Sequence, residues 1–170
     1  MSCLTTLIHL IKINNMDKIY NIALVAHDGR KSDLIEWVKF NATKLSLHNL
    51  FCTGTTGKLV VNVFKEYEEK EEKSTNTTIT CLKSGPLGGD QQLGAMIANG
   101  DIDFLFFLAD NLSTQPHDVD VKALSRLAQL YNIPMACNRS TADFIISSPL
   151  FNEDYIKKEV DFSSYINRKL

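Results

Sequence analysis

Five short apolar runs mark the chain: Ile19 to Ala26, Asn49 to Thr53, Ile79 to Lys83, Phe104 to Ala109 and Ile133 to Asn138. Between them the apolar residues fall at helical spacing, and strands alternating with helices are the signature of a parallel sheet covered on both faces. After the first run, Leu34, Ile35, Val38, Ala42 and Leu45 make a helical stripe, and Asp33 followed three residues later by Glu36 has the form of a capping box. After the fourth, Val121, Leu124, Leu127, Ala128 and Tyr131 make another, with Pro134 returning the chain to an extended path. Further helices are expected over Lys58 to Tyr67, Asp90 to Asn99 and Thr141 to Ser147. The pattern predicts a single-domain, three-layer α/β/α fold around a mainly parallel, five-stranded sheet.

Two stretches stand apart from this rhythm. Lys65 to Thr78 is charged and then polar, with almost nothing to bury, and reads as a surface insertion, either a solvated helix extension or a mobile loop. At the N-terminus, Leu4 to Ile13 is apolar but interrupted by His9 and Lys12, with no basic segment ahead of it and no small-residue cleavage site behind it. It is too short to span a bilayer. Because Met16-Asp17-Lys18 stands directly before the first strand, residues 1–16 are expected to be an extension outside the core. Residues 17–170 are then the domain proper, with its insertion at about 65–78.

At 170 residues and 44% hydrophobic content, the chain suffices for one domain with a real core and is too short for two ordinary ones. Eighteen Lys plus Arg against twenty Asp plus Glu leave a net charge of −2. No general electrostatic pull therefore draws the protein to nucleic acid or to an anionic membrane, and any anion site must be local. Cys3, Cys52, Cys81 and Cys137 are widely separated and fit neither CxxC nor metal-ligand spacings. They read as small buried hydrophobes in a reducing, cytoplasmic setting.

In an open parallel sheet, ligands bind at the carboxyl ends of the strands, and each such place here is polar or Gly-rich. His27-Asp28-Gly29-Arg30-Lys31 follows the first strand, and Thr53-Gly54-Thr55-Thr56-Gly57 the second. The second joins a strand to a helix, so its amides and three hydroxyls can converge on an anion at a positive helix end, in the manner of a phosphate cradle. The P-loop spacing with its Lys is absent. Ser84-Gly85 adds a hydroxyl and an amide at the neighbouring strand end, and Lys31 can supply the formal positive charge. Taken singly, Asp90 suits a helix N-cap, Asp110 a turn and Asp120 the first turn of a helix, while His27 and His117 suit structural roles. Together, carboxylates and imidazoles at one rim beside an anion cradle make a site for proton transfer on a phosphorylated substrate. No ligand cluster of the zinc type is present in the sequence.

The stretches Ala23-Leu-Val-Ala-His-Asp28, Thr53-Gly-Thr-Thr-Gly57, Ser84-Gly-Pro-Leu-Gly-Gly-Asp-Gln-Gln92, Pro116-His-Asp-Val-Asp-Val-Lys-Ala-Leu124, Asn132-Ile-Pro134 and Thr141-Ala-Asp-Phe-Ile-Ile146 resemble the methylglyoxal synthase family, in that family's order. The third is the most specific. The resemblance implies a Rossmann-like, methylglyoxal synthase-like fold and a lyase that turns dihydroxyacetone phosphate into methylglyoxal and inorganic phosphate, with no cofactor and no metal. It implies that Asp90 is the base at C3 of the substrate, that His117 holds the substrate's carbonyl and hydroxyl oxygens, and that Asp120 and Asp110 support them. His27, Lys31, Thr53, Gly54, Thr55, Thr56, Ser84 and Gly85 are implied substrate contacts, with Asp28 beside them.

The resemblance further implies a glycolytic bypass enzyme, and because product phosphate fits the same cradle, inorganic phosphate is expected to inhibit it. The implied assembly is a homohexamer in which the basic C-terminal end, Arg168 or Lys169, reaches a neighbouring subunit's site. Asn111 stands where the family pattern has proline, and the 65–78 segment is longer than the family's usual one. The same fold also serves as a regulatory module that binds a phosphate-bearing effector without reaction. Such a module is expected to keep the threonine loop and lose the acids, whereas Asp90, Asp110, His117 and Asp120 are all present here.

Overall fold

The computed structural model describes residues 18–112, 118–153 and 155–168. Strands β1 (Asn21–Ala26), β2 (Asn49–Cys52), β3 (Ile79–Cys81), β4 (Phe104–Leu108) and β5 (Met135–Ala136) form one sheet in the order β3-β2-β1-β4-β5. Every pairing is parallel, so the sheet is wholly rather than mainly so. The helices, in chain order, are α1 (Lys31–Phe40), α2 (Ala42–Leu45), α3 (Gly54–Glu71), α4 (Gly89–Asn99), α5 (Asp118–Leu130), α6 (Arg139–Ser147), α7 (Pro149–Asn152) and α8 (Ser163–Ile166). From β1 the chain builds outward to β3, then returns to add β4 and β5 on the other side of β1. Where the direction of building reverses, connections leave neighbouring strands on opposite sides, and a crevice opens at their carboxyl ends.

The central strands explain why the apolar runs are continuous. Successive side chains of a strand point to opposite faces. Ile22, Leu24 and Ala26 of β1 join Phe104, Phe106 and Leu108 of β4 in one core, while Ala23, Val25, Leu105 and Phe107 belong to the other. The first core is covered by Leu34, Trp37 and Val38 of α1, Val60, Val63 and Phe64 of α3, and Ala142 and Ile146 of α6. The second is covered by Leu93 and Ile97 of α4 with Leu124 and Ala128 of α5. Each large side chain removed from water in this way contributes roughly 1.5–3 kcal/mol. The buried Trp37 keeps a polar handle, its indole N–H donating to Asp143 Oδ1 at 2.8 Å.

Several sequence expectations need correction. Ile19 is 65% exposed and precedes β1, which starts at Asn21. The capping box does not form, because a short 3-10 turn, Asp28–Arg30, leads directly into α1 and puts Asp33 inside the helix. There Asp33 pairs with Arg30 at 3.1 Å and Glu36 with Arg139 at 2.8 Å. Helix α3 begins at Gly54, ahead of the expected Lys58, and runs to Glu71, so the first half of the charged 65–78 segment extends the helix. It needs no buried face because polar contacts hold it: Lys39 reaches Glu66 at 2.9 Å, and Thr75 donates to Glu68 Oε1 from both its amide and its hydroxyl at 2.7 Å. Of the cysteines, only Cys52 is buried among the described residues; Cys81, at the end of the edge strand β3, and Cys137, just past the edge strand β5, are exposed. Cys3 and the expected extension at 1–16 lie outside the described residues.

Candidate active site

The loops after β2 and β3 are built against each other. Gly54 has φ +51°, a left-handed conformation that glycine adopts freely. A Cβ there would stand 3.0 Å from the Ser84 Cα, and the Gly54 amide donates to the Lys83 carbonyl at 3.1 Å. Gly88 (φ +94°) precedes α4, and a Cβ on Gly89 would come within 1.9 Å of the Lys83 carbonyl oxygen. The Gly88-Gly89 pair thus lets the chain fold tightly back on the end of β3, setting Asp90 in the first turn of α4. Gln92 completes the clamp by accepting the Lys83 amide at 2.9 Å.

A cavity of about 360 Å³ lies at this carboxyl rim, and it gathers His27, Asp28, Lys31, Thr53, Gly54, Thr55, Thr56, Ser84, Gly85 and Asp90. All ten were expected at the site. Thr53 precedes the eighteen-residue α3 with extended backbone and caps it with no side-chain bond, so the first turn of a long helix faces this space with its partial positive charge. Lys31 adds a full charge. Its ammonium donates to Asp28 Oδ1 at 2.6 Å and to the Thr55 hydroxyl, tying the turn after β1 to the cradle after β2. That hydrogen bond first, and then the lysine's charge, hold the Asp28 carboxyl below the usual carboxylate range against a weak opposing effect of burial. Asp90 rests on the neighbouring backbone: a Cβ on Gly85 would sit 2.7 Å from its Oδ2.

The Asp110 amide donates to His27 Nδ1 at 2.9 Å, which leaves Nε2 as the protonated nitrogen of the neutral ring. Phe107 meets the His27 ring edge to face at 5.2 Å. Asp110 stands beside the rim rather than on the cavity wall, with Oδ1 accepting the Leu112 amide at 3.2 Å and Oδ2 lying 2.6 Å from where a Gly29 Cβ would be. His117 and the side chain of Asp120 lie outside the described residues. Val25, Ala26, Pro86 and Phe107 also line the cavity and escaped the sequence reading. Val25 and Phe107 are register partners on the same face. Their apolar character made them look like ordinary core, and only their place at the strand ends marks them as floor.

An anion cradle at a helix N-terminus, a lysine and a carboxylate around one cavity at the edge of a doubly wound sheet define an α/β domain equipped for acid-base work on a phosphate ester. Residues 33–137 match the family model described as the MGS-like domain. The chain is 57% identical to the methylglyoxal synthase of Maridesulfovibrio salexigens across 91% of its own length and 100% of the relative's. It is 49% identical to that of Coxiella burnetii across 88% and 97%. The crystal structure of methylglyoxal synthase from Elizabethkingia anophelis NUHP1 superposes with a TM-score of 0.75 at 47% identity, covering 89% of this chain and 93% of that one. The chain belongs to the methylglyoxal synthase family.

Proposed function

We propose that this chain is a carbon–oxygen lyase that converts dihydroxyacetone phosphate to methylglyoxal and inorganic phosphate, with Asp90 as its base. The observation that carries the reading is that Asp90, Lys31 and the first turn of α3 border the same cavity. Asp90 takes a proton from C3, leaving an enediolate; the π electrons then expel phosphate as the C1–O bond breaks, and the remaining enol ketonises to methylglyoxal. Elimination requires the C1–O bond to stand roughly perpendicular to the enediolate plane, so that its orbital overlaps the π system. A phosphate gripped at one end of the cavity and a carboxylate fixed at the other restrict that torsion. Lys31 and the α3 amides stabilise the departing anion where its charge develops.

His27, with its proton on Nε2, donates to a substrate oxygen, while His117 holds the carbonyl and hydroxyl oxygens and Asp120 and Asp110 support the arrangement, as the family resemblance implies. The same reading makes residues 17–170 the working domain and residues 1–16 an extension. It makes the assembly a homohexamer, with Arg168 or Lys169 serving a neighbouring site, and the location cytoplasmic on a glycolytic bypass. Among the described residues no helix is long and apolar enough to cross a membrane.

The test is methylglyoxal release from dihydroxyacetone phosphate by the purified protein, beside Asp90→Asn. Turnover that disappears in the variant is the expected result. Because product phosphate fits the same cradle, added inorganic phosphate should raise the apparent KM; kinetics indifferent to phosphate would count against the cradle. Phosphate binding without any turnover would make the chain an effector-binding module instead.

A further inference from the structure

Cys52 and Cys81 are register partners on the adjacent parallel strands β2 and β3. Paired residues of neighbouring strands point to the same face, and parallel strands stand about 4.8 Å apart, inside the roughly 4.4–6.8 Å Cα separation a disulfide spans. Helix α3 covers the pair with a glycine: a Cβ on Gly57 would lie 2.7 Å from Cys81 Sγ and 3.4 Å from the Cys52 Cβ. Any larger residue there would crowd the Cys81 sulfur and press on the Cys52 side chain. One partner is reachable and the other is not, since Cys81 is exposed on the edge strand and Cys52 is fully buried. The pair also sits directly beneath the cradle. Cys52 adjoins Thr53, and Cys81 leads through Leu82 and Lys83 to Ser84, where the two loops touch at Gly54.

We propose that Cys52 and Cys81 are a dithiol that closes to a disulfide across β2 and β3 on reaction with a low-molecular-weight disulfide, and that closure disables the phosphate cradle above it. The Cys81 thiolate attacks one sulfur of the small disulfide and expels one thiolate. Cys52 then gives up its proton and attacks Cys81 Sγ in the mixed disulfide, expelling the second; the protein dithiol is oxidised and the small disulfide reduced to two thiols. Burial and then the neighbouring Cys81 push the Cys52 thiol up, so the second step is the slow one. The effect on activity rests on the reaction proposed above, whereas the cross-link does not.

The full-length protein, with Cys3→Ser and Cys137→Ser to remove the other thiols, is incubated with glutathione disulfide and followed by intact mass, peptide mapping and turnover. The expected product has lost two hydrogens, carries a Cys52–Cys81 linked peptide, and shows kcat/KM reduced roughly 10²-fold, the scale of a misplaced positioning group. Dithiothreitol restores it, and adding Cys81→Ser abolishes both changes. A stable glutathione adduct on Cys81 without a cross-link overturns the proposal, as does a cross-linked protein of unchanged kinetics. If the reduced protein neither turns over substrate nor binds phosphate, the functional reading falls, while the peptide map still decides whether the dithiol closes.

Discussion

The two ends of the sheet use a histidine in the same local way and reach opposite results. At the carboxyl end, His27 accepts the Asp110 amide at Nδ1 and meets Phe107, yet it lines the cavity. At the amino end, His48 accepts the Tyr20 amide at Nδ1 at 3.3 Å and meets Phe151 at 5.3 Å, and it is only 6% exposed. Around His48 the surroundings are aromatic: it meets Tyr20 and Phe151, which pack with Phe104 at ring centroids 5.0–5.6 Å apart. Around His27 they are glycines, hydroxyls, a lysine and carboxylates. An imidazole fixed by a backbone amide is therefore not in itself a functional signature. What separates the two is whether the ring borders space that a ligand can enter.

The comparison predicts that substitutions at the carboxyl rim change kinetics and those at the amino end change stability. The largest effect is expected from Asp90→Asn, which should lower turnover by about 10²–10⁴-fold, the contribution of a positioned general base, while thermal unfolding by circular dichroism stays close to that of the parent. A large drop in melting temperature would mean that Asp90 is chiefly structural. Next come the two histidines. His27→Ala should lower kcat/KM by roughly 10–10²-fold, equivalent to losing a hydrogen bond of about 1.5–3 kcal/mol to a charged group. His48→Ala should leave the kinetics at 25 °C unchanged and lower stability in urea by about 1–3 kcal/mol, because a buried amide loses its acceptor. If both variants lose activity at unchanged stability, the division between the two ends fails.

The smallest effect concerns Asp28. Its carboxyl titrates below the usual range, so the Lys31 contact contributes stability above the ordinary carboxylate pKa and loses it as pH falls through the lowered value. The side chain is 87% exposed, and screening keeps the contribution under about 1 kcal/mol. In urea titrations the gap between the parent and Asp28→Asn should be present at neutral pH and close in acid; a gap that widens in acid would reverse the assignment.

Ten of the residues expected at the site share one cavity, because each lies in the connection that follows β1, β2 or β3, and that placement follows from the order of apolar runs along the chain. Where the structure departs from those expectations, side-chain pairing or the order of the strands is responsible. Asp33 and Glu36 have the spacing of a capping box but are claimed by Arg30 and Arg139. Cys81 sat in an apolar run, but β3 proved to be an edge, so its thiol is exposed.

The sequence by itself determined what depends on neighbours along the chain: strand and helix alternation, glycines at the tight turns, and polar residues at the strand exits. Helical and strand periods are local, and a turn needs only a few consecutive residues. The tertiary structure alone decided which strands are central and which are edges, that Cys52 stands beside Cys81, and that Val25 and Phe107 form the floor of the cavity. These are pairings between segments distant in sequence. They are set by the joint burial of all the apolar faces rather than by any one stretch.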